Sequence, residues 1–246
     1  MGGVRSGLLR VHRAVPGQAF YRSPMRSVPW WVLFSSVCAP ILLVGGWAVS
    51  AHLQGPGYDP ASATISILAS DGAAGYWVMT PALLALGACH VVTATGLRPA
   101  APFGRAALAG GGLSAMLLAL FPAPASGGSF AHGVVVAVGF SLLAVWPVLA
   151  VRRRASRRRV VAAAGDTWPR PTARPSDRTA PWALRPAPSV TAAALMWLGG
   201  AWFLLALYTL DTAGAAERVL TFAQSFWPLV VVVSCFRHGA DDGRPD

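Results

Sequence analysis

The sequence contains no lysine and no asparagine, and few charges of any kind. Only 12% of its 246 residues are charged, about half the ~25% of a typical soluble domain. So little charge cannot cover a water-facing surface, which argues against an ordinary soluble domain and points to a polytopic membrane protein. All 20 basic residues are Arg, a skew of the kind that GC-rich coding produces. Cysteine is scarce: Cys38, Cys89 and Cys235 all lie in apolar runs. Their odd number and placement exclude a disulfide framework and read as small buried hydrophobes. No two Cys have metal-ligand spacing, no span carries two His three or four residues apart, and there is no His-Glu-x-x-His. The expectation is therefore no metal and no cofactor, haem included.

What is abundant is apolar sequence, 54% of the chain. Residues 1–27 are basic and polar, and the first apolar run, Val28–Ser50, is too long and too far from the start for a signal peptide. It reads as a retained helix able to cross ~30 Å of hydrocarbon, with Trp30 and Trp31 in an aromatic belt and a kink at Pro40. Further spans follow at Gly75–Leu97, Arg105–Phe121, Ala131–Val151, Val190–Leu210 and Ala215–Phe236. The third is the shortest and carries Gly110, Gly111 and Gly112; small residues suit close helix approach, because helices in lipid associate by packing. The expected fold is all-α: six transmembrane helices in one bundle.

The loops orient the bundle. With both termini cytoplasmic, 19 of the 20 Arg fall on the cytoplasmic side and only Arg218 outside, as the positive-inside rule demands. An odd number of spans would break the pattern. The segment 152–189 contains ten Arg, and six Pro lie between residues 166 and 188, so it reads as a disordered cytoplasmic loop. Its run Arg152, Arg153, Arg154, Arg157, Arg158 and Arg159 suits anionic lipid of the cytoplasmic leaflet, at ~1 kcal/mol per basic residue. A sequence pI near 11.3 invites a nucleic-acid reading, but no reading fold accompanies the charge. Residues 237–246 form a short cytoplasmic tail.

The stretch 51–74 between the first two spans holds the mixed polar chemistry. Asp59-Pro60 is a helix start, an N-cap followed by Pro at the first helical position. Ala61, Ile65, Leu68 and Gly72 then share one face and Asp71-Gly72 closes it. A short amphipathic helix over the outer mouth is expected. Topology gathers His52, Asp59, Ser66, Asp71 and His132 at this face, with Asp211 and Glu217 on the next outer loop. Such a cluster suits a hydrogen-bonded latch, a ligand or head-group site, or acid–base chemistry. Within the spans, His90 and Gln224 are the conspicuous polar groups, and intramembrane polar residues invite a functional question. Ser114 and His132 bear a superficial likeness to an intramembrane serine protease, but the depths of the two side chains disagree.

The order of an apolar span, then YDPASATISILASDGAAGYWVMTPALLALGACHVV, then a Gly-rich span ending LFPAPASGGSFAH, resembles the bacterial integral-membrane family known as domain of unknown function 998. The matching positions are Ile65-Ser66, Gly72, Phe121-Pro122 and His132. The resemblance implies a six-helix membrane fold and a shared outer-face loop, and no chemistry. A fainter likeness to Frag1/DRAM-type membrane proteins rests on the Ile-Ser loop alone. The leading reading is a non-enzymatic protein of the bacterial cytoplasmic membrane that binds a lipid or small amphipathic ligand near its outer face. The alternatives are a small transporter lined by His90 and Gln224, and a lipid-head-group enzyme using His52, Asp71 and His132.

Overall fold

A computed structural model describes residues 28–124, 127–152 and 180–241. Among these residues every regular element is helical: α1 (Trp30–Leu53), α2 (Ile65–Leu68), α3 (Tyr76–Gly96), α4 (Pro102–Leu117), α5 (Phe130–Leu149), α6 (Pro186–Thr209) and α7 (Ala213–Asp241). Five of them, all but α2 and α4, are long and apolar enough to cross a membrane. Trp77, Phe130 and Tyr208 are each more than 80% exposed, a display of large apolar surface that suits lipid rather than water. The chain is a multi-pass membrane protein.

Proline accounts for two of the larger differences between expected and observed helix starts. The third span was expected from Arg105, but α4 opens at Pro102 after an extended Ala101. The fifth was expected from Val190, but α6 opens at Pro186 and takes Pro188 into its first turn. Proline lacks an N–H, and the first-turn N–H groups have no intrahelical partner, so it costs nothing there. α1, α3, α5 and α7 continue through Pro40, Pro81, Pro147 and Pro228 respectively. At 16 residues α4 is shorter than its neighbours; its rise is about 24 Å at 1.5 Å per residue.

Two expectations need correction. The helix predicted from Asp59 to Gly72 is a single turn, Ile65–Leu68, with Ile65 and Leu68 buried in the bundle; residues 59–63 form a separate turn closed by Ala63 N–H on Asp59 O. Of the four positions expected on one face, Ile65 and Leu68 plug the bundle rather than float on it, whereas Ala61 and Gly72 are exposed. The second concerns the segment 152–189. Residues 153–179 lie outside the described residues, but its last part is ordered. Trp182–Leu184 form a 3-10 turn, Ala183 N–H donates to Ser234 Oγ at 3.1 Å, and Ser189 Oγ donates to Ala183 O.

Six helices pack in a closed ring, in the order α1, α3, α4, α5, α6, α7 and back to α1. Close approach depends on small residues. A β-carbon on Gly112 would fall 2.6 Å from Gly87 O, and one on Gly111 would fall 2.5 Å from Leu143. α4 therefore touches α3 and α5 through the glycines that the sequence concentrates there. At the end carrying Arg98 and Arg152 (the arginine end), Val32, Leu97, Leu108, Trp146, Val231 and Val232 form one core. At the opposite, loop end, Leu43, Ile65, Leu68, Met79, Leu83 and Leu86 form another.

Candidate functional site

α7 begins by clasping the loop. Its first amide groups have no helical partner, and Gly214 N–H and Ala215 N–H donate instead to Ser62 O at 3.2 Å and Ala61 O at 2.9 Å. Gly214 permits this approach, because a β-carbon there would meet Ala63 O at 2.2 Å and Pro60 O at 2.6 Å. Two adjacent charged side chains extend the clasp. The Arg218 guanidinium donates to Pro60 O at 2.7 Å, Ala63 O at 2.9 Å, Gly214 O at 2.9 Å and the Tyr58 hydroxyl, and it lies 5.8 Å from the Trp47 ring centroid, within cation–π range. The Glu217 carboxylate accepts from Ile65 N–H and, at 3.2 Å, from Ser66 Oγ. Burial raises the Tyr58 phenol above its ordinary value against the opposing pull of Arg218.

Beneath this clasp lies a cavity of about 70 Å³. Glu217, Ser66, Thr221, Gln224, Ser114 and His90 contribute its polar lining, among leucines, valines and Phe140. Glu217 is 4% exposed, and His90 and Gln224 are 1% exposed. Gln224 Nε2 donates to Phe140 O at 3.0 Å, while Gln224 Oε1 and His90 Nδ1 are buried without a partner. The structure thus brings His90 and Gln224 to one cavity, together with Ser66 from the loop.

The remaining rim residues do not join them. Asp59 is exposed and accepts from Ala61 N–H at 3.0 Å and Ser62 Oγ at 2.7 Å, capping its own turn; these bonds hold its carboxyl below the usual range, the Ser62 hydroxyl most of all. His132 Nδ1 pairs with Phe121 O at 2.8 Å, and its backbone N–H donates to the Ser129 cap. His52 and Asp71 are exposed. No hydrogen bond links His52, Asp59, Asp71 and His132 to one another. Ser114 Oγ donates to Val135 O at 2.6 Å, an interhelical tie between α4 and α5. Among the described residues, no three of His, Cys, Asp and Glu lie close enough to hold a metal ion.

At the arginine end the polar work is structural. Arg152 donates to Pro99 O at 2.8 Å, Arg98 O at 2.7 Å and Ala100 O at 3.3 Å. Arg105 donates to Ala94 O and Thr95 O at the end of α3. Arg153, Arg154, Arg157, Arg158 and Arg159 lie outside the described residues. In the half of the bundle nearer this end, α6 and α7 leave an apolar groove of about 520 Å³ between Trp182, Thr191, Leu195, Ala223, Phe226 and Trp227.

Glu217 and Arg218 are the residues that reading the sequence undervalued. Placed on a short polar connection, Glu217 looked like one more rim carboxylate. Their signal was adjacency: an acid and a base side by side at the very start of an apolar helix.

A family model described as "Protein of unknown function (DUF998)" matches residues 36–168, more than half of the 246-residue chain. The chain belongs to the DUF998 family. No curated protein and no solved structure matches it, and the likeness to Frag1/DRAM-type proteins gains no support. The part of this DUF998 protein matched by the family model includes the loop with Ile65 and Ser66, and also His90 and His132. Glu217, Arg218 and Gln224 lie outside it. The clasp therefore joins the matched part of the chain to a helix beyond it.

Proposed function

We propose that this protein is a non-enzymatic, six-span component of the bacterial cytoplasmic membrane, with both termini cytoplasmic, that binds a membrane lipid. The lipid lies in the groove between α6 and α7, with an anionic head group at the arginine end. Size carries the reading. The groove, about 520 Å³, falls within the ~300–1,000 Å³ of ligand pockets, whereas the cavity under the loop, about 70 Å³, cannot admit an acyl chain. The ligand site therefore moves from the outer rim expected from sequence to the cytoplasmic half. Arg185 lies in the segment between Trp182 and Pro188 that borders the groove, and the Arg run of residues 152–159 precedes it in the chain. That charge favours phosphatidylglycerol-like over zwitterionic lipid.

The count of six treats α4 as a short span. It packs between α3 and α5 in the ring, and its rise of about 24 Å needs only modest bilayer thinning. With six spans, 19 of 20 Arg share the cytoplasmic side. Two alternatives fare worse. A through path past His90 would have to cross the packed core of Leu97, Leu108, Trp146 and Val231. A head-group enzyme would need His132 oriented by a carboxylate, and its Nδ1 is engaged by a backbone carbonyl.

The test is lipid retention. The purified protein is examined by native mass spectrometry after exposure to equal phosphatidylglycerol and phosphatidylcholine. Wild type retains phosphatidylglycerol, Ala223→Phe fills the groove and loses it, and Arg185→Gln narrows the preference between the two lipids. Retention undiminished by Ala223→Phe removes the groove, and retention lost instead by His132→Ala returns the site to the rim.

A further inference from the structure

Glu217 presents a problem that the clasp does not solve. It is 4% exposed, within a candidate membrane span, where an uncompensated charge is costly. The hydrogen bonds to its carboxylate come from neutral donors of the loop, the Ile65 N–H and the Ser66 hydroxyl among them. The neighbouring Arg218 spends its guanidinium on carbonyls and on Tyr58. Nothing bonded to the carboxylate carries a positive charge.

The cavity beside it is chemically biased. Glu217, Thr221 and Gln224 recur at i, i+4 and i+7, which puts them on one face of α7 over two helical turns. Gln224 commits its amide nitrogen to Phe140 O, so the group left unpartnered is the oxygen, an acceptor. The Thr221 hydroxyl gives its proton to Glu217 O at 2.7 Å, and the Ser66 hydroxyl gives its proton to the carboxylate; both oxygens keep lone pairs. The residues that carry this one carboxylate, one amide oxygen and two hydroxyl oxygens all line a space of about 70 Å³, among apolar side chains. Since a water takes ~30 Å³, that space suits an ion and one or two waters.

We propose that this cavity binds a small monovalent cation, with Na⁺ the natural probe. Hard oxygen donors select alkali and alkaline-earth ions over soft metals. A single carboxylate balances a single positive charge, whereas calcium sites collect several carboxylates among six to eight oxygens. Glu217 supplies the charge, Ser66 and Thr221 supply neutral oxygens at its level, and Gln224 Oε1, two turns deeper, is reached through water. Because Ser66 and the Ile65 amide belong to the loop, the ion and the loop share one carboxylate. Cation binding therefore tightens the loop on the bundle. The site is independent of the lipid groove.

The experiment follows thermal unfolding of the full chain in detergent as NaCl replaces N-methyl-D-glucamine chloride at constant ionic strength. Binding to the folded state alone raises the midpoint progressively once the ion exceeds its dissociation constant. The wild-type midpoint rises with Na⁺. Glu217→Gln loses that rise, and so does Thr221→Val with Gln224→Leu, a pair that leaves the bonds from the loop to Glu217 in place. The pair guards against Glu217→Gln failing to fold. Equal midpoints in the two salts overturn the proposal, and so does a sodium response that survives in the Thr221/Gln224 pair.

Discussion

Replacing Gly214 by alanine tests the clasp where it has no room to adjust. The new β-carbon would lie 2.2 Å from Ala63 O and 2.6 Å from Pro60 O. Both are backbone atoms, so the turn 60–63 must move rather than a side chain rotate. Moving it loses the bonds from Gly214 N–H to Ser62 O and from Ala215 N–H to Ala61 O, worth ~1 kcal/mol each. It also loosens the two Arg218 bonds to Pro60 O and Ala63 O, worth ~1.5–3 kcal/mol each as charged bonds. Partial relaxation recovers some of this, and Ala gains up to ~1 kcal/mol over Gly in a helix. The expected net loss is about 2–4 kcal/mol, confined to the loop. Hydrogen exchange reads it directly: the Ile65 amide, which donates to Glu217, should exchange about 30- to 700-fold faster, at tenfold per ~1.4 kcal/mol of local opening. Gly200→Ala is the control, since nothing lies within 4 Å of its β-carbon; it should leave Ile65 exchange unchanged. Gly214→Ala with Ile65 exchange within about threefold of wild type would refute the reasoning, because the clash then costs less than ~1 kcal/mol.

Other expectations address the remaining contacts. Gly112→Ala puts a β-carbon 2.6 Å from Gly87 O and 2.9 Å from His90 Cβ, so overpacking should cost ~1–3 kcal/mol in unfolding free energy, visible as a lowered thermal midpoint. Asp59 has its folded pKa lowered by Ser62 and Ala61; its contribution is therefore present above the ordinary aspartate value and fades as pH falls through the lowered one. Exchange at the Ala61 amide, corrected for intrinsic pH dependence, should accelerate on acidification in wild type but not in Asp59→Asn. His132→Ala removes the bond to Phe121 O, worth ~1 kcal/mol, and should raise proteolysis of the connection between α4 and α5 while leaving sodium stabilisation intact.

The membrane class, the all-helical fold and the order of the long helices were legible in the sequence, because apolar run length is a local property; of the six expected spans, five are helices long and apolar enough to cross a membrane, and α4 has only 16 residues. The glycines of α4 were legible too, as a demand for close approach, though not the partners: Gly112 meets α3 and Gly111 meets α5, a fact of three-dimensional packing. The loop was misjudged for a related reason. Ile65 and Leu68 have helical spacing, but the bundle buries them in one turn, and the hydrogen bonds that a longer helix would have made are supplied by α7 instead. A backbone carbonyl that has an external donor does not need an internal one, and no spacing rule in residues 59–72 announces a donor more than 150 residues away.

Arg218 shows how an exception to a pattern can locate a contact. In the proposed orientation, with both termini cytoplasmic, Arg218 is the one arginine on the outer side, where a positive charge has no topological use. The structure gives it another: four acceptors, three of them backbone carbonyls and two of those on the loop. A lysine could not replace it, since the planar fork reaches those carbonyls through one nitrogen and the Tyr58 hydroxyl through the other. Arg218→Lys should therefore free the turn 60–63 and raise its proteolysis almost as much as Gly214→Ala, although the charge is unchanged. If Lys holds the loop as well as Arg, then charge alone secures it and the geometry of the guanidinium is incidental. The same pairing argues against reading Glu217 as the partner of Arg218. The two adjacent side chains reach different parts of the loop, one its carbonyls and the other its amide and hydroxyl. That division leaves the carboxylate facing the cavity without a bonded cation.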